Sequence, residues 1–171
     1  MKFLIILSAL SLVSCGIFRS KNKLAVSGKI EIHHPYCGGA KPTQEMLKGT
    51  MEAYKNTSFL VKTQMNNHKK KGTIARFQTD ETGAFSVHLP GPGTYFLIHE
   101  DKTLSFADFV SKYKVEKQHQ SYVGDEMAKK AYEQADAQFE VQEGKDVQIV
   151  IRSRCFVGLN PLMKYTGPQP E

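Results

Sequence analysis

A run of closely spaced strand patterns between residues 73 and 99 constrains the fold more than any other part of this sequence. From Phe85 to Leu89 apolar and polar residues alternate, which places every second side chain on one face of a strand. The turn-forming sequences Asp80-Glu81-Thr82-Gly83 and Pro90-Gly91-Pro92-Gly93 flank this strand. Strand patterns also precede the first turn and follow the second. We therefore predict an antiparallel meander of three strands.

Similar strand patterns lie on both sides of this meander. They cover residues 24–33, 59–63, 139–141 and 147–151. The sequence Glu143-Gly144-Lys145-Asp146 predicts a hairpin turn between the last two. Between residues 103 and 135 the apolar spacing becomes helical, and Ser105 and Asp125 are placed to cap two helical segments. The predicted fold is mainly β, an antiparallel β-sandwich of about seven strands with a helical insertion near 103–135.

Two long connections, residues 35–57 and 103–135, are candidates for binding elements. In the first, Thr43 is a plausible cap for a helical stretch near residues 44–54. The second carries four aromatic residues, which either cover an edge of the sandwich or form an exposed patch that docks a partner. These residues are Phe106, Phe109, Tyr113 and Tyr132.

The first fifteen residues have the layout of a secretory signal. Lys2 precedes an apolar run from Phe3 to Val13 that is too short to span a bilayer. The run closes on Leu12-Val13-Ser14-Cys15, which resembles the lipobox of bacterial lipoproteins. The resemblance implies cleavage of a signal peptide at residues 1–14, acylation of the Cys15 thiol with palmitate-type chains, and a lipidated tether at 15–23.

The same resemblance implies a location in the cell envelope. Gly16 stands where many lipoproteins retained in the inner membrane have Asp, so we expect delivery to the outer membrane. The formal net charge of +6 is scattered, and only Lys69-Lys70-Lys71 forms a run. We expect no nucleic-acid partner. The lysine run is typical of a solvated loop, with contact to anionic lipid or polysaccharide as the alternative.

Lipidation of Cys15 leaves two further cysteines in an oxidising compartment. Such a pair usually forms a disulfide, so we predict a bond between Cys37 and Cys155. It would close a loop that the chain-entropy model credits with roughly 4–5 kcal/mol. The alternative is a free, reactive Cys37 beside His33 and His34, which would require a base within hydrogen-bond reach of the thiol.

Two stretches resemble the carboxypeptidase regulatory-like domain, whose pattern is T-D-x-x-G-x-F-x-V-x-L-P-P-G-x-Y. They are Thr79-Asp80-Glu81-Thr82-Gly83-Ala84-Phe85-Ser86-Val87-His88-Leu89-Pro90 with Pro92-Gly93-Thr94-Tyr95, and Val26-Ser27-Gly28-Lys29-Ile30. The sequence Pro35-Tyr36-Cys37-Gly38-Gly39-Ala40 also looks like a group of bacterial lipoproteins with this fold. The resemblance implies a transthyretin-like (prealbumin-like) sandwich, which we place at residues 24–156. The proline-rich segment 157–171 is expected to be an irregular tail.

The sequence contains no evident set of catalytic residues. His33, His34 and Cys37 are its one cluster of metal-type ligands, but neighbouring strand residues point to opposite faces, so both histidines would not bind one metal. The pair Glu100-Asp101 is interpreted as an exposed strand end. We predict a non-catalytic, membrane-anchored lipoprotein without a cofactor that binds an envelope protein or glycan. The alternative is an envelope metal-binding protein or a hydrolase using His33, His34 and Cys37.

Overall fold

The computed structural model describes residues 23–39, 41–67 and 72–168. Within these ranges the strands are β1 (Leu24–His34), β2 (Thr50–Ala53), β3 (Ser58–Lys62), β4 (Thr73–Gln78), β5 (Ala84–Leu89), β6 (Gly93–His99), β7 (Gln120–Tyr122), β8 (Ala137–Val141), β9 (Val147–Arg152) and β10 (Met163–Tyr165). The helices are α1 (Gln44–Leu47), α2 (Phe106–Tyr113) and α3 (Asp125–Glu133), and a 3-10 turn spans Glu100–Thr103. The predictions for Cys15, Gly16 and Lys69-Lys70-Lys71 fall outside the described residues.

The long strand β1 is the centre of the first of two sheets. Its first half pairs antiparallel with β5 and its second half pairs antiparallel with β2. Strand β9 runs parallel to β1 along its other side. The second sheet is antiparallel throughout, in the order β4-β3-β6-β8. The prediction of a mainly β fold with antiparallel sheets is confirmed.

One apolar core lies between the two sheets. Each of its strands contributes alternate residues. The alternation predicted for residues 85–89 is observed, because Phe85, Val87 and Leu89 are buried and the residues between them are exposed. The core residues are Val26, Ile30, Phe59, Val61, Phe77, Phe85, Val87, Leu89, Tyr95, Leu97, Phe139, Val141, Val147 and Ile149. This arrangement, with one shared core, is that of a sandwich.

The prediction of a meander is wrong, because consecutive strands lie in different sheets. Strands β4 and β6 both pair with β3 in the second sheet, whereas β5 pairs with β1 in the first. The hairpin predicted at residues 143–146 is also absent from the described chain, since β8 and β9 belong to different sheets. Sheets stack about 10 Å apart, a distance that a turn of a few residues can cross. A strand buries every second side chain whether its turn forms a hairpin or crosses between the sheets, so the sequence pattern does not distinguish the two arrangements.

The turn before β5 shows which contacts stabilise a connection that crosses from one sheet to the other. Gly83 has φ +80°, and a Cβ there would lie 2.5 Å from the carbonyl oxygen of Ile30. Its own carbonyl accepts a hydrogen bond from the Ile30 N–H at 2.9 Å. The Asp80 carboxylate accepts from the N–H groups of Thr82 and Ala84 at 2.7 and 3.0 Å. The Thr82 hydroxyl also donates to this carboxylate at 2.8 Å, and this bond, followed by the two N–H bonds, lowers the pKa of Asp80. The sequence therefore predicted the turn correctly, but the turn hydrogen-bonds to β1 and does not join two paired strands.

The connection at 35–57 contains less helix than predicted. Thr43 does cap α1, and its hydroxyl accepts from the Met46 N–H at 3.2 Å. The helix nevertheless stops at Leu47, and Gly49 follows with φ +70° against the backbone of His34. Residues 50–53 then pair with β1 as strand β2. Pairing with the sheet edge supplies backbone hydrogen bonds that outweigh the local helix preference.

A second, smaller apolar cluster lies under the helical insertion. Phe109, Ala128 and Leu162 are its buried members. Phe106, Tyr113 and Tyr132 pack around them, so the insertion's aromatic residues cover apolar surface as one of the two alternatives expected. Ser105 caps α2 as predicted, and its hydroxyl accepts from the Asp108 N–H at 3.1 Å. The prediction that Asp125 caps the second helix is wrong, because Asp125 is the first residue of α3 and Gly124 occupies the cap position without a side-chain hydrogen bond.

The C-terminal segment is part of the fold and is not an irregular tail. Residues 163–165 form β10, which pairs with β7 from the insertion. Leu162 and Met163 are fully buried. The prolines of this segment indicated irregular backbone, but this adjacent apolar pair is buried against the insertion. No helix in the described part of the chain is both long and apolar enough to cross a membrane.

Candidate functional site

A cavity of about 250 Å³ continues the sandwich core at one of its ends. Phe59 and His99 are register partners on β3 and β6 at inward-facing positions, and Ile151 reaches the same end from β9. Helix α2 and residues 159–161 border the cavity on the side of the insertion. Its lining residues are Tyr54, Phe59, His99, Lys102, Phe109, Tyr113, Asp136, Ile151, Leu159, Asn160 and Pro161. The cavity therefore lies between the two apolar clusters.

His99 lies at an inward-facing position of β6, where the alternating pattern of the strand predicts an apolar side chain. Its ring packs edge-on against Phe59, with ring centroids 5.6 Å apart. Its Nδ1 accepts a hydrogen bond from the Asp101 N–H at 3.2 Å. Burial lowers the pKa of His99, although the carboxylates of Asp101 and Asp136 oppose the shift. At neutral pH the ring is thus uncharged, and because Nδ1 is the acceptor, Nε2 carries the proton.

Asp101 is the centre of a polar network and not an exposed strand end as predicted. Its carboxylate accepts from the Tyr113 hydroxyl at 2.7 Å and from Lys112 Nζ at 2.6 Å, and only 19% of its side chain is exposed. Burial raises the pKa of Asp101, but the hydrogen bonds from Lys112 and Tyr113 outweigh it and hold this pKa below its usual range. Burial and then the bond to Asp101 raise the pKa of Tyr113. The 3-10 turn after β6 places Asp101 here.

A buried lysine ties the 3-10 turn to the segment before β8. Lys102 Nζ lies 2.8 Å from Asp136 Oδ1 and 2.9 Å from the carbonyl oxygen of Gln134. The other oxygen of Asp136 accepts from the His99 N–H at 2.7 Å. The side chain of Lys102 is only 5% exposed, so its charge would be costly to bury without Asp136. This pair fixes the polar end of the cavity.

Two polar groups that line the cavity have no protein partner. Lys102, Tyr113, Asp136 and Asn160 all make hydrogen bonds to other protein groups. Among the residues that the structure describes, none hydrogen-bonds Tyr54 Oη or His99 Nε2. Burial raises the pKa of Tyr54 to about 12, with the charges of Asp136 and Asp101 adding to the shift. The Tyr54 hydroxyl therefore stays protonated, and the cavity contains two available donors.

The residues named by the alternative hypothesis lie elsewhere and do not converge. His33 Nε2 is 2.8 Å from the carbonyl oxygen of Lys48, and His34 Nε2 is 3.2 Å from Glu52 Oε2. No group of three or more His, Cys, Asp or Glu side chains in the described ranges is placed to hold a metal ion. The two histidine rings thus contact different partners.

Cys37 and Cys155 lie at disulfide distance, as predicted. Their Cα atoms are 5.3 Å apart, across a sequence separation of 118 residues. The bond would join the loop after β1 to the segment after β9, next to their parallel pairing. A sulfur held in a disulfide has no thiolate to attack a substrate. The geometry therefore favours the structural role of Cys37 over the reactive one.

A serine completes a chain of contacts around His34. Ser153 Oγ is 3.0 Å from His34 Nδ1, while Glu52 contacts the opposite ring nitrogen. The residue types are those of a hydrolytic triad, but Ser153 is only 7% exposed and the Glu52 side chain is 61% exposed. Nucleophilic catalysis requires an accessible hydroxyl with oxyanion donors beside it. These contacts instead connect the end of β1 to β2 and to the residue after β9.

Sequence reasoning missed most of the cavity. Its polar members come from five separate parts of the chain, around residues 54, 99–102, 113, 136 and 160. The one local signal was His99-Glu100-Asp101-Lys102, a polar run directly after the apolar strand β6. The inward position of His99 could have been read from its alternation with Tyr95 and Leu97. The convergence of the other segments depends on the strand order.

Comparison of the chain with protein-family models, with curated proteins and with solved structures finds no match in any of the three. In this cavity apolar walls, the buried Lys102–Asp136 pair and polar groups without a protein partner in the described ranges occur together.

Proposed function

We propose that this protein is a lipid-anchored lipoprotein of the cell envelope that binds a small molecule in the cavity between its sheets and its helical insertion. The observation that carries the proposal is the cavity, in which Tyr54 and His99 have polar atoms without a partner among the described residues, beside walls that are mostly apolar. A cleft that combines mostly apolar walls with a few polar groups able to hydrogen-bond has the usual make-up of a small-molecule site. The role is binding and not catalysis.

The finer fold assignment belongs to the same proposal. We assign the sandwich to the carboxypeptidase regulatory-like, transthyretin-like class, on the motif at residues 79–95 and the first-strand motif at 26–30. Both motifs form core strands, with Gly83 in the connecting turn. Such domains serve many proteins as binding or accessory modules, and the fold alone does not name a ligand. An envelope protein or glycan would be the partner that this module serves.

The anchor is tested by changing Cys15 in the full chain. Wild-type protein should incorporate a palmitate analogue and sediment with membranes, and after density separation it should follow the outer membrane. A Cys15→Ser variant should lose both the label and membrane attachment. Cys155→Ser serves as the control, because that cysteine is expected in the disulfide. A Cys15→Ser protein that stays labelled and membrane-bound would refute the anchor.

The binding role is tested by asking what the cavity carries in the cell. Full-length protein is purified from its native membranes, unfolded, and the released small molecules are identified by mass spectrometry. We expect one compound enriched with the wild type and absent from Ile151→Phe, which fills the cavity. The matched control is Val150→Phe on the same strand, whose side chain is directed to solvent. Equal release from both variants, or none from the wild type, would contradict the proposal.

A further inference from the structure

We infer that the cavity ligand is an uncharged molecule of about one ring in size that carries a hydrogen-bond acceptor, such as a ketone, ester or amide carbonyl. This inference depends on the proposed binding function and adds the chemical class of the ligand to it. Size, charge and hydrogen-bond polarity each contribute to it separately.

The size of the ligand follows from the volume and the walls. An engineered apolar cavity of about 150 Å³ admits benzene, so about 250 Å³ admits one ring with a short substituent. The walls are apolar over most of their extent. They include Phe59, Phe109, Ile151, Leu159 and Pro161. A ligand with a compact apolar body matches these walls.

The absence of ligand charge follows from the way the site's own charges are paired. Lys102 is held against Asp136 at 2.8 Å, and Lys112 against Asp101 at 2.6 Å. Each cation in this network thus already has its carboxylate, and each carboxylate its cation. A charged ligand would lose its hydration without gaining a counterion, which is costly at a buried site. The network therefore selects against carboxylates and amines.

The acceptor on the ligand follows from the two free donors. His99 Nε2 carries the ring proton because Nδ1 accepts from the Asp101 N–H, so in this state Nε2 can only donate. Burial raises the pKa of Tyr54 to about 12, so its hydroxyl keeps a proton that it can donate to a ligand in the cavity that it lines. The two rings are neighbours, with centroids 6.4 Å apart, and both line the same cavity. A carbonyl oxygen can accept two hydrogen bonds.

Three probes of similar shape separate these features. Full-length lipidated protein in detergent is titrated with acetophenone, ethylbenzene and benzoate, and binding is followed by protein NMR. The Ile151→Phe variant gives the background from detergent and surface. We expect acetophenone to bind at least about threefold more tightly than ethylbenzene and than benzoate, since one or two neutral hydrogen bonds are gained.

The matched variant is Tyr54→Phe, which keeps the ring packed on Phe59 and removes only the hydroxyl. It should weaken acetophenone binding about three- to tenfold and leave ethylbenzene binding unchanged. Tyr122→Phe is the control, because that hydroxyl is bonded to Asp125 outside the cavity. Tighter binding of ethylbenzene or benzoate, no effect of Tyr54→Phe, or no binding of any probe would overturn the ligand class. The compound released from native protein would still decide the binding function separately.

Discussion

The sheet core and the region under the insertion bury apolar surface in different ways. Between the sheets, alternate residues from seven strands pack without a charged group among them. Under the insertion, a small cluster around Phe109 adjoins the Lys102–Asp136 pair and a cavity. The first region has the close packing that specifies a fold. The second contains less apolar contact and more polar chemistry, and it is where we propose that a ligand binds.

The largest effect on stability should come from removing the predicted disulfide between Cys37 and Cys155. Replacing Cys37 and Cys155 by Ser should lower the free energy of unfolding by roughly 4–5 kcal/mol, because the unfolded chain regains the entropy of a long loop. Denaturant unfolding measures it. As a control, reductant should destabilise the wild type and leave the double variant unchanged. Peptide mapping that finds free thiols at both positions would show that the bond does not form.

The same Leu→Ala substitution in each region should show whether the two regions unfold together. Leu97 and Leu162 are both fully buried, the first in the sheet core and the second under the insertion. Leu97→Ala should lower global stability by about 2–5 kcal/mol through the cavity it creates. Leu162→Ala should mainly increase hydrogen exchange in α2, α3 and β10, because that cluster opens locally. If Leu162→Ala lowered protection equally in β1 and β6, the two regions would be one cooperative unit.

A smaller effect is expected at the start of α2. Ser105→Ala removes the hydroxyl that accepts from the Asp108 N–H and should cost about 1 kcal/mol, seen in the exchange rates of this helix. Ser111→Ala, at an exposed position in the same helix, should have almost no effect. Equal effects of the two changes would show that the cap does not determine the stability of the insertion.

The smallest effect concerns pH and distinguishes the cavity from the core. Burial lowers the pKa of His99 in the folded protein below its unfolded value of 6.5, so the unfolded chain takes up the proton first. This contribution to stability is therefore complete above pH 6.5 and is lost as the pH falls toward the folded pKa. NMR titration of the ring gives the pKa directly, and His99→Asn should reduce the loss of stability in this window. A folded pKa above 6.5 would contradict the burial of His99.

The strands could be predicted from the sequence, whereas their partners could not. Alternation located seven of the strands, and it did so because each buries one face in the same core. The turns at residues 80–83 and 143–146 were interpreted as hairpins, yet they cross between sheets. A short turn fits both paths, and the choice depends on the pairing of β1 with β5 and β9, which are distant in sequence.

The candidate site could not be predicted from the sequence for the same reason. His99 faces inward because it follows Tyr95 and Leu97 in the alternation of β6, and this much was present in the sequence. Tyr54 and Asp136 reach it only because β2, β3 and β8 are arranged around the end of the core. By contrast, Cys37 and Cys155 could be paired without knowledge of the topology, since assigning Cys15 to acylation left only these two cysteines.

The most direct test of the account is the position of a bound molecule in the full-length protein. Intermolecular nuclear Overhauser effects from acetophenone to assigned ring protons locate it without reference to affinity. The account predicts effects to Tyr54, His99 and Phe109, and their loss in Ile151→Phe but not in Val150→Phe. Effects confined to the exposed groove along His34, Met46 and Thr50 would contradict it.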